Sequence, residues 1–212
     1  ESLFSGTGLA QMDGADLNGT NKSYAYMFRR APGFFDVVAY TGDGTNGRTI
    51  NHNLTVEPEF IIIKNRSSAE NWITQAPGPI DYTSNIRLNG NTATSTNGQT
   101  FLFTSGNSTS LTTGPSSNSF INTSGQNYIL YLFATLPGVS KVGSYTGNGT
   151  SQTIDCDFST GARFVLIKRT DSTSNWNVFD AERGIVVGND PRLELNTTDA
   201  EDTGDDGVDP DS

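Results

Sequence analysis

Short apolar segments alternate with clusters of small polar residues along most of the chain. Segments rich in β-branched and aromatic residues are typical of strands, and the Gly, Asn, Ser, Thr and Pro residues between them are typical of turns. No stretch of the chain has the 3.6-residue apolar period of a helix. Between residues 32 and 136 this pattern predicts eight strands: DVVAY, RTINHN, FIIIKN, NWITQ, IRLN, QTFLFT, SFIN and YILYLFAT.

The number and length of these strands predict an all-β fold. Seven or eight short strands in one domain-sized stretch are typical of an antiparallel β-sandwich, here one of jelly-roll-like type. The entirely apolar residues 60–63 predict a central strand that is covered on both faces. The TGDG and TGNG sequences predict hairpin turns, since Gly and Asn tolerate positive φ.

Part of the sequence itself occurs twice in the chain. Residues 40–45 (YTGDGT) return as residues 145–150 (YTGNGT), and residues 60–64 (FIIIK) return as residues 164–168 (FVLIK). The offset of 104 or 105 positions relates further pairs: Asn71-Trp72 with Asn175-Trp176, Arg87-Leu88 with Arg192-Leu193, and Tyr26-Met27-Phe28 with Tyr131-Leu132-Phe133. A register kept over so many positions predicts tandem β-sandwich repeats of about 105 residues.

The repeat predicts three regions. Residues 1–31 are the C-terminal end of a preceding repeat, residues 32–136 are a complete β-sandwich repeat, and residues 137–212 are a second homologous repeat that is truncated at its C-terminal end. By register, the closing strand of this last repeat is expected near position 233.

Net charge indicates which partners are unfavourable, and cysteine content indicates where the chain folds. The formal net charge is −10, and seven acidic residues lie within residues 199–212. An acidic surface repels nucleic acid and anionic membranes, so neither is expected as a partner. Cys156 is the single cysteine, which excludes an intrachain disulfide and fits folding in a reducing cytosol.

Candidate catalytic groups are few. A nucleophilic site would have to use His52, the single histidine, but its counterpart in the second repeat is Cys156, which favours a structural histidine. No pair stands out by spacing among the carboxylates of the complete repeat, which are Asp36, Asp43, Glu57, Glu59, Glu70 and Asp81. No catalytic residue is therefore expected, and the chain is expected not to be an enzyme.

Two kinds of binding residue remain as candidates. Trp72 and Trp176 occupy equivalent places and are either sugar-stacking platforms or core residues, with the core favoured. The acidic segment, with Asp202, Asp205, Asp206 and Asp209, is either a Ca²⁺ loop or a solvated loop, and the missing EF-hand spacing favours the solvated loop. Asp155 and Asp157 flank Cys156 on a predicted strand and point to the same side. They form either a cation site or a solvent-exposed face of the strand, with the exposed face favoured. No other cofactor is expected.

Residues 29–68 (RRAPGFFDVVAYTGDGTNGRTINHNLTVEPEFIIIKNRSS) resemble an uncharacterised repeat domain of bacteriophage tail-fibre and virion proteins, of the marine cyanophage type. Residues 136–176 (LPGVSKVGSYTGNGTSQTIDCDFSTGARFVLIKRTDSTSNW) resemble the same domain. The resemblance is carried by these two runs. The family has no catalytic residues to carry over.

The resemblance implies a structural, non-enzymatic segment of a phage tail fibre or similar virion appendage. It implies partners among copies of the same chain, in a homotrimer, and among other virion proteins, with folding in the host cytoplasm before assembly into the virion. Two alternatives stay open: a head decoration protein or head fibre, and a module that recognises a host-surface glycan.

Overall fold

The computed structural model of the chain describes residues 25–78, 81–95, 102–115, 119–204 and 206–209. Eleven strands form in these residues. Eight precede position 136: β1 (Phe35–Thr41), β2 (Thr49–Asn51), β3 (Phe60–Asn65), β4 (Ile73–Gln75), β5 (Ile86–Arg87), β6 (Phe103–Gly106), β7 (Ser110–Thr113) and β8 (Asn127–Phe133). Three follow it: β9 (Phe164–Lys168), β10 (Trp176–Asp180) and β11 (Leu193–Glu194).

The first eight strands form a β-sandwich. One sheet has five strands in the order β1-β8-β3-β4-β5, the other has three in the order β2-β7-β6, and all pairings are antiparallel. Alternate residues of both sheets point into one core, which includes Ile61, Ile63 and Leu130 from the larger sheet and Leu111 and Phe103 from the smaller. The all-β, sandwich-like fold predicted from the sequence is confirmed.

The central position of β3 follows from its composition. β3 lies between β8 and β4, and its residues alternate between fully buried and half-buried. The inner face of β3 contributes Ile61 and Ile63 to the core, while Phe60 and Ile62 lie on the outer face of the sheet. A strand that is apolar on both faces needs cover on both, and the outer cover comes from elements described below.

The TGDG loop is a crossover between the two sheets and not the predicted hairpin turn, because β1 pairs with β8 whereas β2 pairs with β7. The fully buried Asn122 holds this loop by donating its amide to Asp43 Oδ1 at 2.9 Å and to Thr45 O at 2.8 Å. Gly42 is required there, since a Cβ would lie 2.2 Å from the carbonyl oxygen of Thr123.

The prediction also failed at two neighbouring segments. Residues 119–122 (SFIN) form no strand, and the side chain of Asn122 instead holds the crossover loop. β7 was missed because its polar sequence, SLTT, has one apolar residue, Leu111, which is fully buried. Its pairing with both β2 and β6 compensates for the weak apolar signal.

The last three strands form a separate sheet in the order β11-β10-β9. The β9–β10 pairing, Leu166 with Val178, matches the β3–β4 pairing, Ile62 with Thr74, at an offset of 104. The next strand departs from this offset: Leu195 N donates to Trp176 O as Leu88 N donates to Trp72 O, so Leu195, and not Leu193, is the counterpart of Leu88. The tandem repeat as a whole stays a prediction.

The segment between the two parts lacks the predicted strand around Cys156. Residues 141–163 contain no strand, and Asp157 adopts a positive φ of 57° while its N–H donates to Asp155 Oδ1 at 2.9 Å. Asp155 and Asp157 therefore form a local turn and not one face of a strand. The described ranges hold no helix long and apolar enough to cross a membrane.

Candidate functional site

The outer face of the five-stranded sheet carries an open apolar groove of about 400 Å³, called here the outer groove. Its strand residues are Phe35 and Val37 from β1, Ile62 from β3, and Tyr131 and Phe133 from β8. Strand residues at alternate positions share a face, so these side chains lie opposite the sandwich core. The remaining wall comes from outside the strands: Tyr26, Phe28, Trp72 and Leu88.

Aromatic side chains that line the outer groove contact one another. Trp72 stacks on Tyr131 with ring centroids 6.2 Å apart and planes at 27°. Phe28 meets Phe133 edge to face at 5.5 Å. The backbone N–H of Trp72 also donates to Asn89 Oδ1 at 3.0 Å, which holds the tryptophan just before the start of β4. The outer groove is therefore a largely aromatic surface, of a shape and composition that suit a flat apolar face.

Trp176 has a different environment from Trp72. Its side chain is 4% exposed, its indole Nε1–H donates to Arg87 O at 2.9 Å, and its ring lies 6.4 Å from that of Phe60. Two backbone hydrogen bonds join the same region: Thr94 N to Thr170 O and Ser174 N to Asn91 O, each 2.9 Å. We call this contact between the two parts the junction. Trp176 is buried in the junction, whereas Trp72 is half-buried in the outer groove.

His52 is buried inside the sandwich and is 5% exposed. Its Nδ1 accepts the N–H of Leu54 at 3.2 Å, so the proton of the neutral ring is on Nε2. Burial lowers the pKa of His52, and the nearby Asp36 carboxylate offsets only part of this effect. The enclosed imidazole is thus bonded to the backbone at Leu54, while its Nε2 has no hydrogen-bond partner among the described residues.

Asp36 lies beside His52 and is 1% exposed. Burial by itself would raise its pKa, but hydrogen bonds from Asn53 N, Arg30 Nε and Val37 N stabilise the charged form and lower the pKa overall.

Acidification is expected to destabilise the protein in two steps. Both His52 and Asp36 have folded-state pKa values below their unfolded values, so the unfolded chain binds the protons. The contribution of His52 is complete above about pH 6.5 and is lost as the pH falls through its lowered pKa; that of Asp36 is complete above about pH 4 and is lost on further acidification. Asp43, Asp81 and Asp180, whose pKa values are also lowered, contribute to the second step. Urea unfolding at a series of pH values measures both steps.

The substitution His52→Asn separates the two steps, because asparagine keeps an acceptor for Leu54 N–H but does not titrate. The fall in stability between about pH 7 and pH 5 should disappear in this variant, while the fall at lower pH remains. An unchanged slope between pH 7 and pH 5 would contradict the assignment to His52.

Most of the carboxylates considered for catalysis accept hydrogen bonds from loop residues. Glu57 and Glu59 line a second cleft of about 410 Å³. Glu57 Oε1 accepts the hydroxyl of Tyr82 at 2.9 Å, and Glu59 Oε2 accepts Thr135 N at 2.6 Å. Asp43 and Asp81 each accept the N–H of the threonine two residues later, and the backbone oxygen of Glu70 accepts Lys64 Nζ. The carboxylates of Glu57, Glu59, Asp43 and Asp81 are thus hydrogen-bonded to residues of the loops around them.

The acidic C-terminal segment does not gather into a cation cage in the part of the chain that is described. Asp202 pairs with Arg192 Nη2 at 3.1 Å, and Asp209 Oδ1 accepts Gly188 N at 3.2 Å. Asp206 is exposed, and Asp205 lies outside the described residues. Among the described residues, no group of three or more acidic, histidine or cysteine side chains could hold a metal ion.

Sequence reasoning missed the outer groove, although its signal was present. The apolar runs of β3 and β8 place large side chains on both faces of the sheet. One face builds the core, and the other builds the groove.

Residues 14–212 match a family model described as "Domain of unknown function (DUF7483)". No curated protein and no solved structure matches the chain.

Proposed function

The chain belongs to the DUF7483 family, and we propose that it is a structural, non-enzymatic module of a phage tail fibre or similar virion appendage. The observation that carries this proposal is the junction. A long appendage made of small β domains needs successive domains to be held at a fixed angle. Domains joined by linkers alone move relative to one another.

The junction supplies fixed contacts of this kind. The indole of Trp176 bonds to the backbone of Arg87, and two further backbone hydrogen bonds link the flanking loops. One side of the contact is the end of β5 and the loop after it, and the other side is the start of β10 and the loop before it, so the contact is directional. A directional contact repeated from module to module produces a rod.

The chemistry of the described side chains is compatible with a structural role. His52 is enclosed in the sandwich, and the carboxylates that line the second cleft accept hydrogen bonds from loop residues. The proposed partners are copies of the same chain and other virion proteins.

Labelling of the parent particle tests the proposal. Antibodies raised against this chain should decorate the tail appendage of intact phage in electron micrographs, and the unlabelled capsid is the internal control. Label spread over the capsid would instead support a head decoration protein or head fibre. Particles that carry no label, from a lysate in which the chain is present, would contradict a virion role.

The junction makes a separate prediction. The substitution Trp176→Phe removes the bond to Arg87 O but keeps an aromatic ring, and it is expected to lower the free energy of unfolding of the second part by about 1 kcal/mol. Trp72→Phe is the matched control, because the half-buried Trp72 packs in the outer groove through its ring. Chemical denaturation followed by far-UV circular dichroism measures both variants; equal effects would contradict a special role of Trp176.

A second candidate function is the binding of a host-surface glycan in the outer groove. The stacked pair of Trp72 and Tyr131 favours it, since the apolar face of a sugar ring packs on such aromatics. An array of host glycans should then show binding that Trp72→Ala abolishes and Trp176→Phe preserves. An array without any bound glycan would remove this candidate.

A further inference from the structure

One edge of the second sheet has no partner strand within the described ranges. Among the described residues, β9 pairs with β10 on one side and with no strand on the other. Its counterpart in the sandwich, β3, pairs on both sides, with β4 and with β8. An edge strand with unpaired N–H and C=O groups is a template for one more strand.

The chain contains a second copy of the β8 pattern. Residues 25–28 (AYMF) correspond to residues 130–133 (LYLF) of β8 at the offset of 105. In the sandwich, Phe133 pairs with Phe60, Leu132 with Ile61 and Tyr131 with Ile62. Because β9 corresponds to β3, the same register pairs Phe28 with Phe164, Met27 with Val165, and Tyr26 with Leu166.

Residues 25–28 already lie beside the start of β9. The ring of Phe28 is 6.1 Å from that of Phe164, close to the 6.0 Å between Phe133 and Phe60 in the sandwich. Tyr26 meets Phe164 edge to face at 5.0 Å, and its hydroxyl donates to Asp180 Oδ2 at 2.7 Å. In the structure these residues form no strand.

The side chains on both sides remain exposed. Tyr26, Met27 and Phe28 are 40–43% exposed, and Phe164 is 37% exposed. Strand pairing would bury all four against one another and satisfy the free edge of β9. The outer groove keeps its wall, since Tyr26 and Phe28 would stay on the outer face as Tyr131 and Phe133 do.

We propose that residues 25–28 add to the open edge of β9 as an antiparallel strand of the same chain, in the register Phe28 to Phe164. Residues 25–28 then close the sheet β11-β10-β9 and hold the two parts together. This inference goes beyond the proposed function and does not depend on a virion.

Disulfide trapping tests the register. In a Cys156→Ser background, the pair Met27→Cys and Val165→Cys should cross-link within one chain under mild oxidation, because directly opposed residues have Cβ atoms about 5 Å apart. The control pair, Met27→Cys with Ile167→Cys, uses the same face of β9 two residues further along. Peptide mapping and non-reducing gels give the yield and show whether the link is within or between chains.

Efficient intrachain cross-linking of the first pair and little of the control pair is the expected result. Equal yields in the two pairs, no cross-link in either, or links only between chains would each overturn the proposal. The last outcome would mean that a second copy supplies the strand.

Hydrogen exchange gives an independent measurement without cysteines. The β9 amides that point to the open edge should be protected, and Met27→Pro should speed their exchange about tenfold or more while leaving β3 unchanged. Wild-type β9 amides that exchange as fast as those of the strand-free residues 141–163 would overturn the proposal.

Discussion

Replacing Arg183 with methionine is expected to lower the free energy of unfolding by about 3–5 kcal/mol. The side chain of Arg183 is 1% exposed and that of Asp180 is 4% exposed, with Nε and Oδ2 2.5 Å apart. Arg183 also donates to Val178 O at 2.8 Å and to Glu201 Oε1 at 3.1 Å. Methionine fills the space but leaves a carboxylate buried without its cation, which is the costly way to break an ion pair.

The chain offers a matched control for this substitution. Arg163 pairs with Glu182 at 2.6 Å, but both side chains are more than 70% exposed. Exposed ion pairs contribute little to folding stability, so Arg163→Met should lower the free energy of unfolding far less than Arg183→Met does. Chemical denaturation of both variants measures the difference.

A double variant checks the reason for the Arg183 effect. Asp180→Asn combined with Arg183→Met removes the stranded charge and should recover part of the lost stability. No recovery, or equal losses for Arg163→Met and Arg183→Met, would contradict the buried-charge explanation.

The second large effect is expected from Gln75→Leu, which should lower the free energy of unfolding by about 3 kcal/mol. Gln75 is 1% exposed and lies on β4 of the larger sheet. Its Oε1 accepts Phe103 N at 3.1 Å, and its Nε2 donates to Phe103 O at 3.0 Å and to Tyr82 O at 2.5 Å. The amide therefore bonds both backbone groups of a residue on β6, in the opposite sheet.

Leucine has a similar size but cannot replace these bonds. Phe103 is fully enclosed, so its N–H and C=O would lose their partners without gaining water. Gln152→Leu is the control, because the exposed amide of Gln152 donates to Thr146 O at 3.2 Å, where water can replace it. Urea unfolding compares the two variants; a Gln75→Leu protein as stable as the Gln152→Leu protein would show that the two sheets do not depend on this amide.

Prediction from sequence worked best for strands whose own residues are mostly apolar. β1, β3 and β8 are long and apolar, and the structure places them near the predicted positions. It failed for β7, whose polar sequence forms a strand because two neighbours pair with it. It failed also for the TGDG loop, since Gly and Asp mark a turn but do not say whether the chain stays in one sheet.

The candidate site shows the same division. Trp72 and Trp176 share local sequence, and the backbone N–H of each donates to the side-chain oxygen of an asparagine, Asn89 or Asn196. One indole nevertheless lies in an open groove and the other in the junction, because their surroundings come from residues far away in the chain. Local sequence could therefore identify both tryptophans without distinguishing their roles.

The sequence by itself determined the all-β class, the positions of the strongest strands and the internal resemblance between the two parts. These depend on the two-residue alternation of apolar side chains and on turn residues, which act over a few positions. The tertiary structure alone decided which strands are neighbours, which tryptophan is buried and which sheet edge has no partner strand among the described residues. Those outcomes depend on contacts between residues far apart in sequence, such as Trp176 with Arg87 and Gln75 with Phe103.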